Sequence, residues 1–203
     1  MSRALRNASG VAFATDGRER RSARSREAIV RALFELIGKG VLRPTAQQVA
    51  ESAGVGIRSV FRHFADMESL FAEMHARLQA GAVPILRGDP MQGPLDRRAR
   101  ALVDRRVEFF ERIAPYKRAG NVQRWRSEFL RSQHAELVRA LRSDLLRWLP
   151  ELRRAPLDLV EAFDLALSFE AWDRLRTEQR LGRDRAREAL VRVMLALLNE
   201  LGP

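Results

Sequence analysis

The chain has 203 residues, of which 46% are hydrophobic, and it carries a formal net charge of +11 at pH 7. This length and composition suit one or two globular domains with a packed core, and the excess of positive charge favours a polyanionic partner such as nucleic acid. Because the sequence contains no cysteine, disulfide bonds, thiolate zinc sites and cysteine nucleophiles are excluded.

The positive charge is concentrated at the N-terminus. Residues 1–26 contain seven arginines and two acidic residues, whereas residues 27–80 contain six basic and six acidic residues. We expect residues 1–21 to form a basic, disordered tail, because few of them belong to an apolar pattern.

Three consecutive segments then have helical patterns. The first, residues 22–39, carries an apolar stripe and stops at Gly-Lys-Gly. The second begins with a capping box, in which Thr45 is the N-cap and Gln48 the third helical residue. It ends at Gly54, a residue suited to the left-handed conformation that terminates helices. Only two residues separate it from the third segment, and two short helices joined by such a turn form a helix-turn-helix.

The third helix has one apolar and one polar face. The apolar face has the spacing i, i+3, i+4 and i+7, at Ile57, Val60, Phe61 and Phe64. The other face carries side chains that donate to phosphates and base edges, namely Arg58, Ser59, Arg62 and His63. A solvated Arg62 and a half-buried, packed His63 are the alternatives. A nucleotide-binding glycine loop is excluded, because neither a third glycine nor a preceding strand accompanies Gly54 and Gly56.

Helical patterns continue to the C-terminus. A fourth helix after Asp66 completes a domain over residues 22–80, and the glycine- and proline-rich residues 81–94 are predicted to form a linker. Further helices are predicted at about 95–113, 115–120, 122–149, 156–179 and 183–201. The chain is therefore predicted to be all-α, with a helix-turn-helix domain (motif 45–64) followed by a larger helical bundle over residues 95–203.

The segment TAQQVAESAGVGIRSVFRHFADMESL, residues 45–70, resembles the DNA-binding segment of the TetR family of bacterial transcriptional regulators. The family pattern is an alanine-rich helix, Ala-Gly-Val-Ser, a helix ending in Tyr-x-His-Phe, and then x-x-Lys-Glu-x-Leu. The matching residues are Ala50, Ala53, Gly54, Val55, His63, Phe64, Glu68 and Leu70. The likeness extends over residues 22–77. Departures from the pattern occur at Gly56, Ser59, Phe61 and Met67, where serine, threonine, tyrosine and lysine are usual.

The resemblance implies a DNA-binding transcriptional regulator with no cofactor, which represses until a small-molecule effector releases it. Its third helix would enter the major groove of double-stranded DNA, with Arg58 contacting a guanine edge. The implied DNA-binding residues are Thr45, Gln47, Gly56, Ile57, Arg58, Ser59, Phe61, Arg62 and His63. We hypothesise that the arginines of residues 18–26 supply the phosphate or minor-groove contacts that Phe61 and Met67 do not; a disordered, solvated tail is the alternative.

The C-terminal bundle is expected to bind the effector and to form a homodimer, which would bind a palindromic operator. The apolar stripe expected at the dimer interface consists of Ala186, Leu190, Val193, Met194, Leu197 and Leu201; closure of the monomer's own core is the alternative. The aromatic candidates for the effector cavity are Phe109, Tyr116, Trp125, Phe129, Phe163 and Trp172. Plain core packing is the alternative for each of these aromatic residues.

Other functional classes fit the sequence less well. An enzyme would need a nucleophile, a base or metal ligands at motif spacing, and the three histidines, His63, His75 and His134, show no such spacing. A basic helical nucleic-acid-binding or interaction protein without a small-molecule response is the alternative to a regulator. No apolar run reaches the length of a membrane span and no signal-peptide core is present, so we expect a cytoplasmic protein without a membrane partner.

Overall fold

The computed structural model describes the backbone of residues 7–201 and the side chains of residues 17–201. In this part of the chain the regular elements are helices and there is no strand, which confirms the predicted all-α class. The α-helices are α1 (Asn7–Gly38), α2 (Ala46–Ala53), α3 (Ile57–His63), α4 (Met67–Arg87), α5 (Leu95–Gln123), α6 (Glu128–Trp148), α7 (Leu157–Ala166), α8 (Phe169–Asp173) and α9 (Arg183–Leu198). Short helical turns follow α5, α6, α8 and α9, at Arg124–Arg126, Pro150–Arg154, Arg174–Glu178 and Asn199–Leu201.

The chain divides into two compact units, Met1–Arg77 and Leu78–Pro203. In the first unit α1 packs against α2 and α3. Its core consists of buried side chains from all four helices, namely Ile29, Val30, Leu33, Ile37, Val49, Ala50, Val60, Phe64, Leu70, Phe71 and Met74. The core side chains of α1 follow the spacing of one helical face, so the apolar stripe seen in the sequence is the face that holds the two short helices in place.

The first helix is longer than predicted. Residues 7–21, which we assigned to a disordered tail, belong to α1, whereas residues 1–6 lie outside the described part of the chain. The helix continues because this stretch contains three alanines and three arginines, which have high helix propensity, and no proline. The arginines proposed as a flexible arm, from Arg18 to Arg26, therefore lie on a helix.

A group of four charged side chains joins α1 to the N-terminal part of α4. The Glu73 carboxylate accepts hydrogen bonds from Arg26 Nη2 at 2.7 Å and from Arg77 Nε at 2.9 Å. Arg77 also donates to Glu27 at 2.7 Å, and the Arg26 guanidinium lies 4.9 Å from the centre of the Phe64 ring. The hydrogen bonds from Arg26 and then Arg77 lower the pKa of Glu73 to about 2. Arg26 is thus bound within its own unit.

The second unit is a bundle in which α5 packs against α6, α8 and α9. Its core is rich in large side chains, and the Phe110 and Phe169 rings meet edge to face at a centroid distance of 5.7 Å. α5 runs unbroken through Pro115, where the sequence predicted a boundary. Buried Ile113, Ala114 and Ala119 anchor the helix on both sides of the proline. Packing of this kind offsets the lost hydrogen bond that a proline causes within a helix.

Two further boundaries differ from the predicted ones. Residues 81–87 of the predicted linker continue α4, which contains Pro84, so that only residues 88–94 separate it from α5. The single helix predicted at about 156–179 is broken between α7 and α8. The break occurs because the Ser168 hydroxyl accepts a hydrogen bond from Ala171 N at 3.1 Å and caps a new helix.

A buried ion pair joins α5 to α6. Arg106 is 1% exposed and Asp144 7% exposed, and Arg106 Nη2 lies 3.2 Å from Asp144 Oδ2. The same nitrogen donates to the Leu141 carbonyl at 2.6 Å. Burial lowers the pKa of Arg106 to about 10, so the guanidinium stays protonated at neutral pH. Asp144 also accepts a hydrogen bond from Arg147 at 2.7 Å, whereas Arg106 without Asp144 would be a stranded buried charge, so the pair fixes the register of the two helices.

Much of the apolar stripe on α9 is part of the core of its own unit. Ala186, Leu190 and Met194 are buried, and Leu197 and Leu201 are partly buried against the same core. Val193 is 44% exposed. Two leucines of the neighbouring α7 are more exposed still, Leu157 at 69% and Leu165 at 71%. Free apolar surface therefore lies on both α7 and α9.

Candidate functional site

The helix-turn-helix is fixed by hydrogen bonds at both ends of α2. The Thr45 hydroxyl accepts from Gln48 N at 3.2 Å, and Thr45 N donates back to Gln48 Oε1 at 2.9 Å, which is the capping box that the sequence predicted. At the other end Gly54 has φ +66° and ψ 33°, and Val55 N donates to the Ala50 carbonyl at 3.0 Å. This left-handed glycine reverses the chain within three residues and directs α3 away from α2.

α3 is a short helix held by few side chains. Val60 is its only residue that is fully buried, and Phe64 directly after it is buried as well. We predicted Ile57 and Phe61 to share this buried face, but they are 39% and 50% exposed. At 100° per residue, Val60 and Phe64 lie on one side of the predicted stripe and Ile57 and Phe61 on the other, and only the first side is buried in the core. The outward face of α3 is consequently wider and more apolar than its sequence suggested.

Most of the predicted DNA-binding residues lie on the surface. The exposed ones are Thr45, Gln47, Gly56, Ile57, Arg58, Phe61 and Arg62, and the half-buried ones are Ser59 and His63. Arg62 Nη2 donates to Ser59 Oγ at 3.3 Å, and Gln47 Nε2 donates to Glu51 Oε1 at 2.7 Å. The turn and α3 thus present a continuous stretch of chain with two guanidinium groups, a hydroxyl and two apolar side chains.

His63 has a different environment from its neighbours on α3. Its Nε2 atom is buried and has no hydrogen-bond partner among the described residues. Burial, and then the positive charges of Arg62 and Arg26, lower the pKa of His63. The imidazole is therefore neutral at neutral pH, and it would reach a phosphate as a neutral donor rather than as a cation.

The second unit contains a cavity of about 320 Å³ between α5, α6, α7 and the start of α8. Its lining residues are Lys117, His134, Leu137, Val138, Leu141, Glu161, Asp164, Leu165, Ser168, Phe169 and Glu170. No sequence motif marks this set, because its members come from four helices at unrelated spacings. Lys117 carried the one usable signal, since it is one of only two lysines in a chain rich in arginine.

None of the six aromatic residues predicted to line an effector cavity is among these lining residues. Phe109, Phe163 and Trp172 are buried in the core, and Trp172 Nε1 donates to Glu111 at 3.1 Å. Tyr116 and Phe129 are half-buried. Trp125 is 63% exposed, with the Arg126 guanidinium 4.1 Å from its ring centre. Large aromatic side chains fill space, and the cavity occurs where aliphatic and charged side chains leave it open.

The described residues form neither a candidate metal site nor a membrane-spanning helix. In that part of the chain no group of three or more histidine, aspartate or glutamate side chains is arranged to hold a metal ion. No helix there combines the length and the apolar character needed to cross a membrane.

A sequence comparison identifies the first unit. The model of the family described as "Bacterial regulatory proteins, tetR family" matches residues 29–74, a range that contains α2, the turn and α3. The first unit therefore contains a helix-turn-helix domain of the TetR-family type. The match includes the capping box, Gly54 and the outward face of α3, so the family assignment and the helix-turn-helix geometry rest on the same residues.

Crystal structures extend the fold similarity over most of the chain. A protein described as a TetR-family transcriptional regulator from Rhodococcus sp. has a TM-score of 0.63 and 16% identity, and the alignment covers 85% of this chain and 98% of that one. A protein described as a transcriptional regulator from Streptomyces coelicolor A3(2) has a TM-score of 0.55 and 22% identity over 84% of this chain and 98% of that one. No curated protein sequence is significantly similar to this chain. At these identities the structures show a shared fold, and the family-model match over residues 29–74 supports a DNA-binding domain in the first unit.

Proposed function

We propose that the chain is a TetR-family repressor, and that it recognises a specific palindromic operator as a homodimer through α3. The observation that carries the proposal is the outward face of α3. A capped α2 and the left-handed Gly54 hold that helix so that one face is exposed, and the exposed or half-buried side chains there include Arg58, Ser59 and Arg62. Guanidinium and hydroxyl groups on a helix of this kind donate to guanine edges and to phosphates in a major groove.

The N-terminal end of α2 supports a phosphate contact. Thr45 and Gln47 are exposed at this helix start, where unpaired backbone N–H groups and the helix dipole favour an anion. Two of the backbone-contacting positions of the family are altered here, at Phe61 and Met67. The exposed arginines of α1, such as Arg18 and Arg24, are the cations that we propose compensate for them.

A dimer is proposed because apolar surface remains on α7 and α9. Leu157, Leu165 and Val193 are exposed large hydrophobic side chains in the second unit. Two copies of these helices brought together would bury this surface in an isologous four-helix contact, and a two-fold dimer matches a palindromic DNA site.

Release by a small molecule is proposed because the second unit contains a cavity of ligand size. A volume of about 320 Å³ lies within the range of small-molecule pockets. The effector would bind there and favour a conformation of the dimer that binds DNA weakly. It can do so only if it binds that conformation more tightly than the one that binds DNA.

Selection of bound fragments from random DNA by the purified full chain tests the proposal. The expected result is enrichment of one palindrome, which the protein then protects in a footprint. Uniform retention of all fragments would instead favour the alternative, a basic protein that binds nucleic acid without sequence preference.

A further inference from the structure

The cavity in the second unit has an apolar wall and one cationic end. The wall consists of aliphatic side chains of α6 and α7 together with the Phe169 ring. The cationic end consists of Lys117 on α5, beside the neutral His134 on α6, and both side chains line the cavity. The following inference rests on the effector response proposed above and concerns the chemistry of the molecule that fits this site.

Lys117 is a nearly buried cation whose hydrogen-bond partners are neutral. Its side chain is only 11% exposed. The ammonium group donates to Asn121 Oδ1 at 2.9 Å and contacts His134 Nδ1 at 2.7 Å, whereas the nearest carboxylate oxygen, on Glu170, lies 3.9 Å away, beyond hydrogen-bond length. An ammonium has three N–H donors, so one donor has no acceptor among the described residues.

The contact with Lys117 also fixes the tautomer of His134. Because a lysine ammonium only donates, His134 Nδ1 must accept, and the ring proton then resides on Nε2. The imidazole is neutral, since burial and then the charge of Lys117 lower its pKa. Lys117 and His134 together therefore offer two N–H donors, one of them charged, to a molecule in the cavity.

The charged groups that act on Lys117 lie on two elements, α8 and the turn after α5. Glu170 and Asp173 of α8 stabilise its cation, while Arg124 in the turn after α5 opposes it. Burial is the largest effect and lowers the pKa of Lys117 to about 8. Glu170 is 53% exposed, so water screens it. The buried ammonium is thus incompletely compensated, and an anion brought into the cavity would stabilise it.

The two carboxylates that α7 contributes to the lining of the cavity already have a cation. Arg142 donates to both oxygens of Glu161, at 2.8 and 2.9 Å, and lies 3.4 Å from Asp164 Oδ2. These groups therefore attract a ligand cation less strongly than their number suggests. The Lys117 N–H that lacks an acceptor, rather than these carboxylates, therefore leads us to expect an anionic ligand group in the cavity.

We propose that the cavity binds a small monocarboxylate with an apolar body, whose carboxylate accepts hydrogen bonds from Lys117 and His134. The apolar body would lie against Leu137, Leu141 and Phe169. A charge-assisted hydrogen bond to a carboxylate gives Lys117 the anionic partner that the protein does not supply.

Direct binding to the full chain tests this site with defined probes. The probes are hexanoate, octanoate and decanoate, the primary amides of the same length, and the corresponding alkyltrimethylammonium ions. We expect each carboxylate to bind about tenfold or more tightly than its amide, because hydrogen bonds to charged groups are the stronger ones. Affinity should rise about three- to fourfold with each CH₂ until the cavity is full.

The matched variants use the two lysines of the chain. Lys117→Met should lower octanoate affinity to the level of octanamide, whereas Lys39→Met, at an exposed site in the other unit, should leave it unchanged. Glu170→Gln should strengthen carboxylate binding, because it removes a competing anion. Far-ultraviolet circular dichroism and DNA binding without probe show that each variant is folded.

A second measurement follows the charge of Lys117 itself. In protein labelled with ¹³C-lysine only two side chains give signals, which the two methionine variants assign. The titration midpoint of Lys117 should rise when octanoate binds, because the carboxylate stabilises the ammonium form, and the midpoint of Lys39 should not move.

Three results would overturn the inference: equal affinity for carboxylate and amide, preference for the trimethylammonium ion, or no binding of any probe. A trimethylammonium preference that Glu170→Gln weakens would assign a cationic ligand to the cavity. Release of DNA is measured separately. Carboxylate binding without DNA release would preserve this site and contradict the proposed effector response, whereas intact operator binding without carboxylate binding would contradict this inference alone.

Discussion

We propose Arg58 as the side chain that contributes most to sequence recognition. It is exposed near the start of α3, where a guanidinium reaches a base edge in the major groove. Arg58→Ala should cost roughly 1–3 kcal/mol of binding free energy and relax the preference at one base position. Selection from random DNA with this variant measures the change. Arg31→Ala, an exposed arginine on α1, is the control and should leave the base preference unchanged. If Arg58→Ala lowered the binding affinity equally for every DNA sequence, Arg58 would be shown to contact a phosphate and not a base.

The two glycines that flank Val55 have different roles. Gly54 has φ +66°, and no neighbouring atom lies within 4 Å of the position that a Cβ would take there, so Gly54→Ala would strain the backbone alone. We expect a loss of about 1 kcal/mol in the free energy of unfolding. Gly56 has φ −72° and caps α3 without a side-chain hydrogen bond, so Gly56→Ser should gain a few tenths of a kcal/mol. Chemical denaturation compares the two variants. Equal effects would show that the turn does not depend on the left-handed conformation.

At the scale of single elements, α1 and α4 are tied together by Glu73. Its pKa in the folded state, about 2, lies below the ordinary value of 4.5, so the carboxylate stabilises the fold fully above pH 4.5. This contribution is lost as the pH falls from 4.5 towards 2. Because the partner side chains are partly exposed, Arg26 at 41% and Glu73 at 25%, we expect only about 1 kcal/mol at neutral pH.

Glu73→Gln tests that contribution. The variant should be less stable at pH 7, and its free energy of unfolding should change less than that of the unmodified chain between pH 4.5 and 2. Glu35→Gln is the control. Among the described residues, the ion pair of Glu35 is with the exposed Arg31, at the long distance of 3.8 Å. Parallel pH profiles for Glu73→Gln and the unmodified chain would contradict the role of Glu73.

The elements that the sequence predicted well are those with local signals. Thr45, Gln48 and Gly54 determine the ends of α2 through bonds to near neighbours, so their spacing was sufficient. The continuity of α5 through Pro115 depends on tertiary packing, which no local pattern contains. The cavity also depends on tertiary packing and therefore could not be predicted from a local pattern. Its polar end brings together Lys117 and His134, which are 17 residues apart on different helices.

At the scale of the whole molecule, dimerisation is tested by one exposed side chain. Val193→Arg should yield monomers that bind the operator weakly, because a charge would be placed in a buried apolar contact. The sequence suggested Leu197→Arg, but Leu197 is packed against the core of its own unit, so that variant would also destabilise the monomer. Sedimentation at micromolar concentration measures the change, with Arg192→Ala as control. A monomeric unmodified chain would contradict the proposed dimer.

The most direct test of sequence-specific DNA binding is the ratio of two binding affinities measured at the same salt concentration. The full chain is titrated with the palindrome selected from random DNA and with a duplex of the same length and composition in scrambled order. A regulator that recognises its operator through α3 should bind the palindrome at least about 10³-fold more tightly at physiological salt. A ratio near one, with both affinities falling equally as salt rises, would show binding by charge alone and would contradict sequence-specific regulation.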